Sequence, residues 1–238
     1  MAVAVFRKRI RHLHIGVYPP AGRVRVAAPL AVSDSAIRLA VISKLGWIRR
    51  HRERFAAQPR QSPRLIVSGE SHYYLGRRYR LRVIENSRGG RVVLRQAGVM
   101  ELHVPTQAGT AQRTALLHEW YRRRLRDIVP SLQCKWEERL GVQVSQVGIK
   151  RMKTKWGSCN RDARRVWLNL ELAKKPMRCL DYILLHETAH LRERRHNDRF
   201  AAILDEHMPN WRQYRDELNI SPLRAEVWRK SDPARSRT

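Results

Sequence analysis

The sequence predicts an α+β fold in which a small antiparallel, β-rich N-terminal region precedes a mainly helical domain. Three observations carry this expectation. Short alternating runs, LIVSG, YYLGRRYRLRVIE, GRVVLRQ and MELHVP, fall between turn glycines at Gly76, Gly89, Gly90 and Gly98 over about 64–105. The stretch AQRTALLHEWYRRRLRDIVPSLQCKWEERLG (111–141) reads as helical. The leucine-rich run LDYILLHETAHL (180–191) also reads as a buried helix, yet it carries two imidazoles and a carboxylate, groups that burial penalises unless something satisfies them.

In chain order, residues 1–15 read as a basic, weakly ordered arm. VRVAAPLAV (24–32) alternates as a strand and ends at Ser33, Asp34 and Ser35, good helix N-caps. The helix that follows, 36–58, places Ile37, Leu39, Val41, Ile42, Leu45 and Ile48 at helical spacing until Pro59 and Pro63 break it. Pro105 to Thr110 is the best linker candidate. The expected division is therefore an arm (1–15), a β-rich region with one helix (16–105), the domain bearing the histidine helix (106–228) and a disordered tail (229–238). Within that domain Pro130 predicts a stop or kink and Gly141 a helix end. VQVSQVGIKRMK reads as a strand, TKWGSCNRDARR as a loop, and RVWLNLELA (165–173) as a strand with Val166, Leu168, Leu170 and Leu172 on one face. Pro176 opens the histidine helix, Asn197 or Asp198 caps another, and Pro209 precedes a last helix through Leu218.

Composition narrows the classes. No apolar run approaches the roughly 20 residues that span a bilayer, and the basic N-terminus lacks the apolar core of a secretory signal. A cytoplasmic protein without membrane contact is expected. Cys134, Cys159 and Cys179 form no CxxC pair, so neither a disulfide framework nor a zinc ribbon is indicated. Lys and Arg number 49 against 21 Asp and Glu, a formal charge of +28, and such an excess favours nucleic acid as a partner because neutralised phosphates release counterions. The excess is arginine-rich and spread along the chain, as codon drift in a high-GC genome would also produce.

The chemistry concentrates in His186-Glu187-Thr188-Ala189-His190, an H-E-x-x-H pattern. Four residues apart on a helix, two side chains stand about 40° apart around the axis and about 6 Å apart in height, so His186 and His190 can reach one metal ion. Glu187 points too far round to be a third ligand and suits a general base acting on water. Catalytic zinc takes three protein ligands and keeps an open position. For the third, Glu193 shares the face of His186, but seven residues rise roughly 10 Å; His207 is more distant. His196 is favoured, provided the chain turns back after about Leu191 to Arg194, as the capping pair Asn197–Asp198 implies. Cys159 could approach the metal, although a tight turn held by Trp156 explains that segment better.

KWGSCN (155–160), VWLNLELAKKP (166–176), LDYILLHETAHL (180–191), HNDRF (196–200) and MPNWRQYRDEL (208–218) together closely resemble the YgjP-like metallopeptidase family, related to the SprT and WLM zinc proteases. VRVAAPL, GWIRRH and YYLGRRYRLRV resemble its N-terminal portion, so the likeness covers about 20–220. It implies a zincin-like metallopeptidase domain that binds one zinc ion through His186, His190 and His196, with Glu187 as the catalytic glutamate and a peptide or protein as substrate. Ala201 stands where the family has tryptophan after Phe200, and Thr188 where leucine is common.

Three function classes follow. The first is a zinc-dependent peptidase. Its oxyanion donor is open among Arg192, Arg194, Arg195 and the Trp156–Cys159 segment, and strand 165–173 could offer a free edge to an extended substrate. The second is a zinc-dependent nuclease on the same three histidines, which the positive charge suits but the carboxylate of Glu187 would oppose. The third is a nucleic-acid-binding protein with structural zinc, against which three histidines with an open position argue. A peptidase held on nucleic acid by its arginines would combine the first and third.

Overall fold

The computed structural model describes residues 1–18, 22–57, 64–86, 90–152 and 154–220; the expected disordered tail, 229–238, lies outside them. Two compact units are present, one up to residue 63 and one over 64–223.

In the first unit, β1 (Val3–Lys8), β2 (His14–Tyr18) and β3 (Arg23–Pro29) form a sheet in the order β1-β3-β2, with β1 parallel and β2 antiparallel to β3. Residues 3–8 are thus a paired strand, not a loose arm, because Val3 to Lys8 register against Val24 to Pro29. Two helices follow, α1 (Asp34–Ser43) and α2 (Leu45–Ala57). The Ser33 hydroxyl caps α1 by accepting the Ala36 N–H at 3.2 Å. The single helix expected over 36–58 is interrupted at Lys44, whose N–H closes a tighter turn onto Val41 O. Val24, Val26 and Ala28 pack with Ile37, Val41 and Ile48. Leu39 and Ile42 have the same periodicity but remain exposed.

The second unit contains a four-stranded sheet: β4 (Ser71–Tyr74), β5 (Arg77–Glu85), β6 (Arg91–Arg95) and β7 (Val99–Val104), in the order β4-β5-β7-β6. The expected all-antiparallel sheet is in fact mixed, since β5 and β7 run parallel. β6 reverses direction one strand-width away from β5, and β7, reversing again at Gly98, fills the gap. This sheet belongs with the helices that follow it. Tyr79, Leu81, Met100, Leu102 and Val104 share one core with Leu117, Trp120 and Tyr121 of α3 (Thr110–Leu140). The division between units therefore falls at 63/64 and not at 105/106. Helix α3 runs unbroken through Pro130 and ends, as expected, at Gly141 in the left-handed region (φ 61°).

A second sheet carries the functional end of the unit. β8 (Gln146–Lys150), β9 (Gly157–Asn160) and β10 (Arg165–Asn169) lie in the order β8-β10-β9. GSCN (157–160), expected as part of a loop, is the edge strand β9, antiparallel to β10. The strand expected over 165–173 stops at Asn169, and Leu170–Lys174 form a 3-10 turn. Asn169 enforces the change. Fully buried, its amide accepts from Glu171 N (3.2 Å) and Met152 N (3.3 Å) and donates to Met152 O (3.0 Å) and Lys155 O (2.7 Å). Then come α4 (Met177–Ala189), α5 (Asp198–His207) and α6 (Trp211–Ile220).

The two-residue hairpin turn Leu75–Gly76, both with positive φ (47° and 82°), joins β4 to β5. It docks on the 3-10 turn through Leu75 N to Ala173 O (2.9 Å) and Gly76 N to Lys174 O (3.3 Å). A Cβ at Gly76 would stand 2.8 Å from Pro176 Cγ, so the turn also touches the residue that opens α4. From the other side, Asp181 of α4 accepts from Lys135 Nζ and Trp136 Nε1 of α3, both at 2.7 Å.

His72 on β4 gives this sheet a pH response. Its ring is 2% exposed and lies 3.2 Å from Glu70 Oε2, and Glu70 Oε1 accepts the N–H groups of Leu65 and Ile66. Burial, then the nearby Arg64 charge, lowers its pKa to about 4 against the opposing pull of Glu70. An unfolded histidine titrates near 6.5, so between pH 6.5 and 4 the unfolded chain binds the extra proton. The contribution to stability is complete above 6.5 and is lost as pH falls toward 4, at up to about 1.4 kcal/mol per pH unit. Urea unfolding across this range should show that slope, and His72→Gln should flatten it; an equal slope in the variant would assign the response elsewhere.

Candidate metal centre

Helix α4 places His186 and His190 one turn apart on its last turns, and the chain then reverses. His190 is the C-cap residue, Leu191 N donates to Thr188 O and Glu193 N to Ala189 O, both at 3.0 Å. The Glu193 carboxylate accepts Arg195 N at 3.1 Å, and Asn197 caps α5 by accepting Phe200 N at 3.0 Å. The reversal that His196 required is present, and it brings His196 Nε2 to 3.0 Å from His186 Nε2. His186, His190 and His196 each offer a ring nitrogen, all within 4.8 Å of one another. Glu193 and His207 are not in this cluster; Glu193 is occupied in shaping the turn.

Side chains that sequence pattern did not single out hold the rings. Phe200 of α5, 3% exposed, touches all three, with ring centroids 5.0 Å from His186, 4.6 Å from His190 and 4.9 Å from His196. The Glu193 carbonyl accepts from His190 Nδ1 at 3.1 Å, which leaves Nε2 as that ring's free lone pair. Tyr182 Oη lies 3.4 Å from His186 Nδ1 and stacks in turn on Trp211 of α6. An Asn cap followed three residues later by an aromatic is the one sequence signal that could have pointed to Phe200. Tyr182 is the residue one turn before His186, a signal too common to be selective.

Electrostatics suit a cation. Burial, then the His190 and His196 rings, pushes the His186 pKa down to about 3, and burial also lowers His190. Both rings are therefore neutral near pH 7, with lone pairs available. Four-coordinate zinc with bonds of about 2.0–2.1 Å separates its nitrogens by roughly 3.3 Å; the His186 and His196 Nε2 atoms stand 3.0 Å apart, and the three ring nitrogens lie within 4.8 Å of one another. Three imidazoles without a thiolate fit a borderline metal, and the open side of the cluster fits a fourth, exchangeable ligand.

Glu187 is 6% exposed and lines the same cleft as the three histidines. Burial raises its pKa to about 7, opposed by the Lys155 charge; a cation at the histidines would draw it down again. Gly157 of β9 makes room for it. A Cβ there would lie 2.6 Å from Glu187 Cγ and 2.6 Å from Oε1, so the glycine of WGSC is a seat for the carboxylate. Cys159 lines the cleft but stands outside the histidine cluster, its thiol raised to about 11 by burial and then by Glu187. Trp156 accepts Asn169 N at its carbonyl (2.8 Å) and lies under Lys175. Of the three arginines considered as oxyanion donors, Arg194 lines the cleft together with Lys155. β10 has no free edge, being paired with β8 on one side and β9 on the other; the edge that faces the cleft is that of β9, through Ser158, Cys159 and Asn160.

Comparison with known families matches residues 13–221 to the YgjP-like, metallopeptidase domain. No curated protein matches. Among solved structures, the metallopeptidase zymogen abylysin of Pyrococcus abyssi aligns at 22% identity over 42% of this chain and 99% of its own, with a TM-score of 0.38. The metallopeptidase zymogen jannalysin of Methanocaldococcus jannaschii aligns at 21% identity over 40% and 92%, with a TM-score of 0.33.

Two substitutions probe the packing. Gly157→Ala should displace the Glu187 carboxylate and reduce hydrolysis of casein by about 100-fold, the scale of a 1 Å misplacement, while metal content measured by mass spectrometry stays at the parent's level. Unimpaired turnover would show that the carboxylate does not need this seat. Thr188 is fully buried, and its hydroxyl has no hydrogen-bond partner among the described residues. Thr188→Val should therefore raise stability by about 1 kcal/mol in urea unfolding; a loss of that size would mean the hydroxyl is satisfied.

Proposed function

The chain belongs to the YgjP-like metallopeptidase family, and from that membership we propose a zinc-dependent peptidase in which His186, His190 and His196 hold one ion and Glu187 is the general base. The convergence of three imidazole nitrogens beside a buried carboxylate, in one open cleft, is the observation that carries this reading.

Zinc bound there supplies Lewis acidity, which lowers the pKa of a water to about 7 and polarises a peptide carbonyl. The chain's own groups do the rest. Glu187, held against Gly157, accepts the proton of the attacking water on its carboxylate and returns it to the departing amide nitrogen. The Lys155 ammonium and the Arg194 guanidinium line the cleft and bring positive charge toward the developing oxyanion. An extended substrate backbone pairs with the free edge of β9, which lays the scissile bond across the cleft. His190 is kept in one tautomer by the Glu193 carbonyl, and Phe200 excludes water from beneath the rings.

A nuclease on the same histidines suits the charge of +28, but Glu187 would face a phosphodiester with like charge. Glu187→Gln separates the readings. The variant should keep its zinc and lose casein hydrolysis by about 100-fold or more, and chelation of the parent should abolish hydrolysis until zinc is restored. Undiminished proteolysis in Glu187→Gln would overturn the assignment of the base, and zinc-dependent cleavage of RNA without proteolysis would favour the nuclease.

A further inference from the structure

The four-stranded sheet has one face in the core, and its other face carries an arrangement the peptidase chemistry does not use. Tyr79, Leu81 and Val83 of β5 point inward, toward α3, with Val92 and Leu94 of β6 and Met100 and Leu102 of β7. Strand alternation therefore turns Arg78, Arg80 and Arg82 of β5 and Arg91 and Arg95 of β6 to the opposite face, and all five are exposed. The register places them in two rows. Arg80 and Arg95 both pair with Val99 of β7, from either side, while Arg82 lies against Glu101 and Arg91 against His103. With β7 between them, the rows stand about 10 Å apart, and successive arginines along β5 about 6.7 Å apart.

The column between the rows has little charge to answer them. Glu101 is the only acid on it; both it and His103 are buried beneath neighbouring side chains, the carboxylate taken by Arg95 Nε (3.0 Å) and facing His103 Nε2 at 3.4 Å, and His103 Nδ1 meeting the Asn86 side-chain amide at 3.0 Å. Arg78, Arg80, Arg82 and Arg91 form no ion pair with any described residue. Like charges lined up in this way cost stability and gain nothing within the fold. At the open end of the β5 row, Tyr73, directly paired with Arg78, presents a ring that is 39% exposed.

We propose that this outer face binds a single strand of nucleic acid, with its phosphates on the exposed arginine rows and bases stacked on Tyr73 and on guanidinium planes. Charge complementarity selects a polyanion. The exposed Tyr73 ring and the guanidinium planes offer stacking surfaces to unpaired bases, which selects one strand over a duplex. Arginine suits both tasks, as a fork for phosphate oxygens and as a plane for bases. The surface is independent of the histidine cluster and stands whether or not the chain is a peptidase. If it is one, the face would bring it to proteins on single-stranded nucleic acid.

Fluorescence anisotropy with a labelled oligothymidine of roughly 20 nucleotides, against the matching duplex, tests this. The full chain should bind the single strand more tightly than the duplex. Replacing Arg78, Arg80 and Arg82 together by Gln should weaken binding at least tenfold and reduce the salt slope by roughly 2, near 0.7 per lost phosphate contact. Replacing Arg38, Arg49 and Arg50, three exposed arginines of the first unit, removes equal charge and should weaken binding by no more than about twofold with the slope unchanged. Equal losses in the two triple variants would show that the charge acts diffusely. Tighter binding to the duplex, or none to the single strand, would also overturn the proposal.

Discussion

The reversal of the chain directly after α4 is the constraint on which the site depends. An uninterrupted helix would carry His196 about 120° away from His190. Instead Glu193 turns the chain with both ends of its residue: the carboxylate accepts Arg195 N and the carbonyl takes the Nδ1 proton of His190. One residue thus fixes the path of the backbone and the tautomer of a ring. Phe200, reached because Asn197 starts α5 at once, then serves as a common floor for all three imidazoles. The three rings are held together by packing on Phe200, and those of His186 and His190 also by contacts at their Nδ1 atoms, with the Tyr182 hydroxyl and the Glu193 carbonyl.

Around that reversal the scaffold is clamped from two directions. Asp181 ties α4 to α3 through Lys135 and Trp136, and the Leu75–Gly76 turn fastens the four-stranded sheet to the 3-10 turn that precedes α4. Asn169 closes the remaining side by joining β10, the segment before β9 and the 3-10 turn through four hydrogen bonds. The helix that presents the histidines therefore has little freedom to move relative to β9, and the fit of Glu187 against Gly157 depends on that rigidity.

Much of this was legible in the sequence because it is local. H-E-x-x-H on an apolar helix, the caps at Ser33 and Asn197 and the left-handed end at Gly141 depend on residues a few positions apart. What was not legible depends on partners far along the chain. Alternation in 165–173 identified buried leucines but could not reveal that β10 lies between two strands, or that Asn169, placed by period on the polar face, is fully buried. The parallel pairing of β5 with β7 follows from a gap left by β6, which no local pattern encodes. Pro130 did not end α3, since long tertiary packing outweighs one lost hydrogen bond. The seat at Gly157 was hidden for the same reason, its reason for being glycine lying thirty residues further on.

The meeting of Gly76 with Pro176 carries a consequence for how this chain can vary over evolution. Any side chain at 76 would need both a left-handed backbone and space already filled by the proline ring. Exchange at the turn therefore demands a concerted exchange a hundred positions away, at the residue from which the histidine helix starts. A hairpin tip remote from the three histidines is thereby placed under the same selection as the helix that bears them, and the two positions should drift together or not at all.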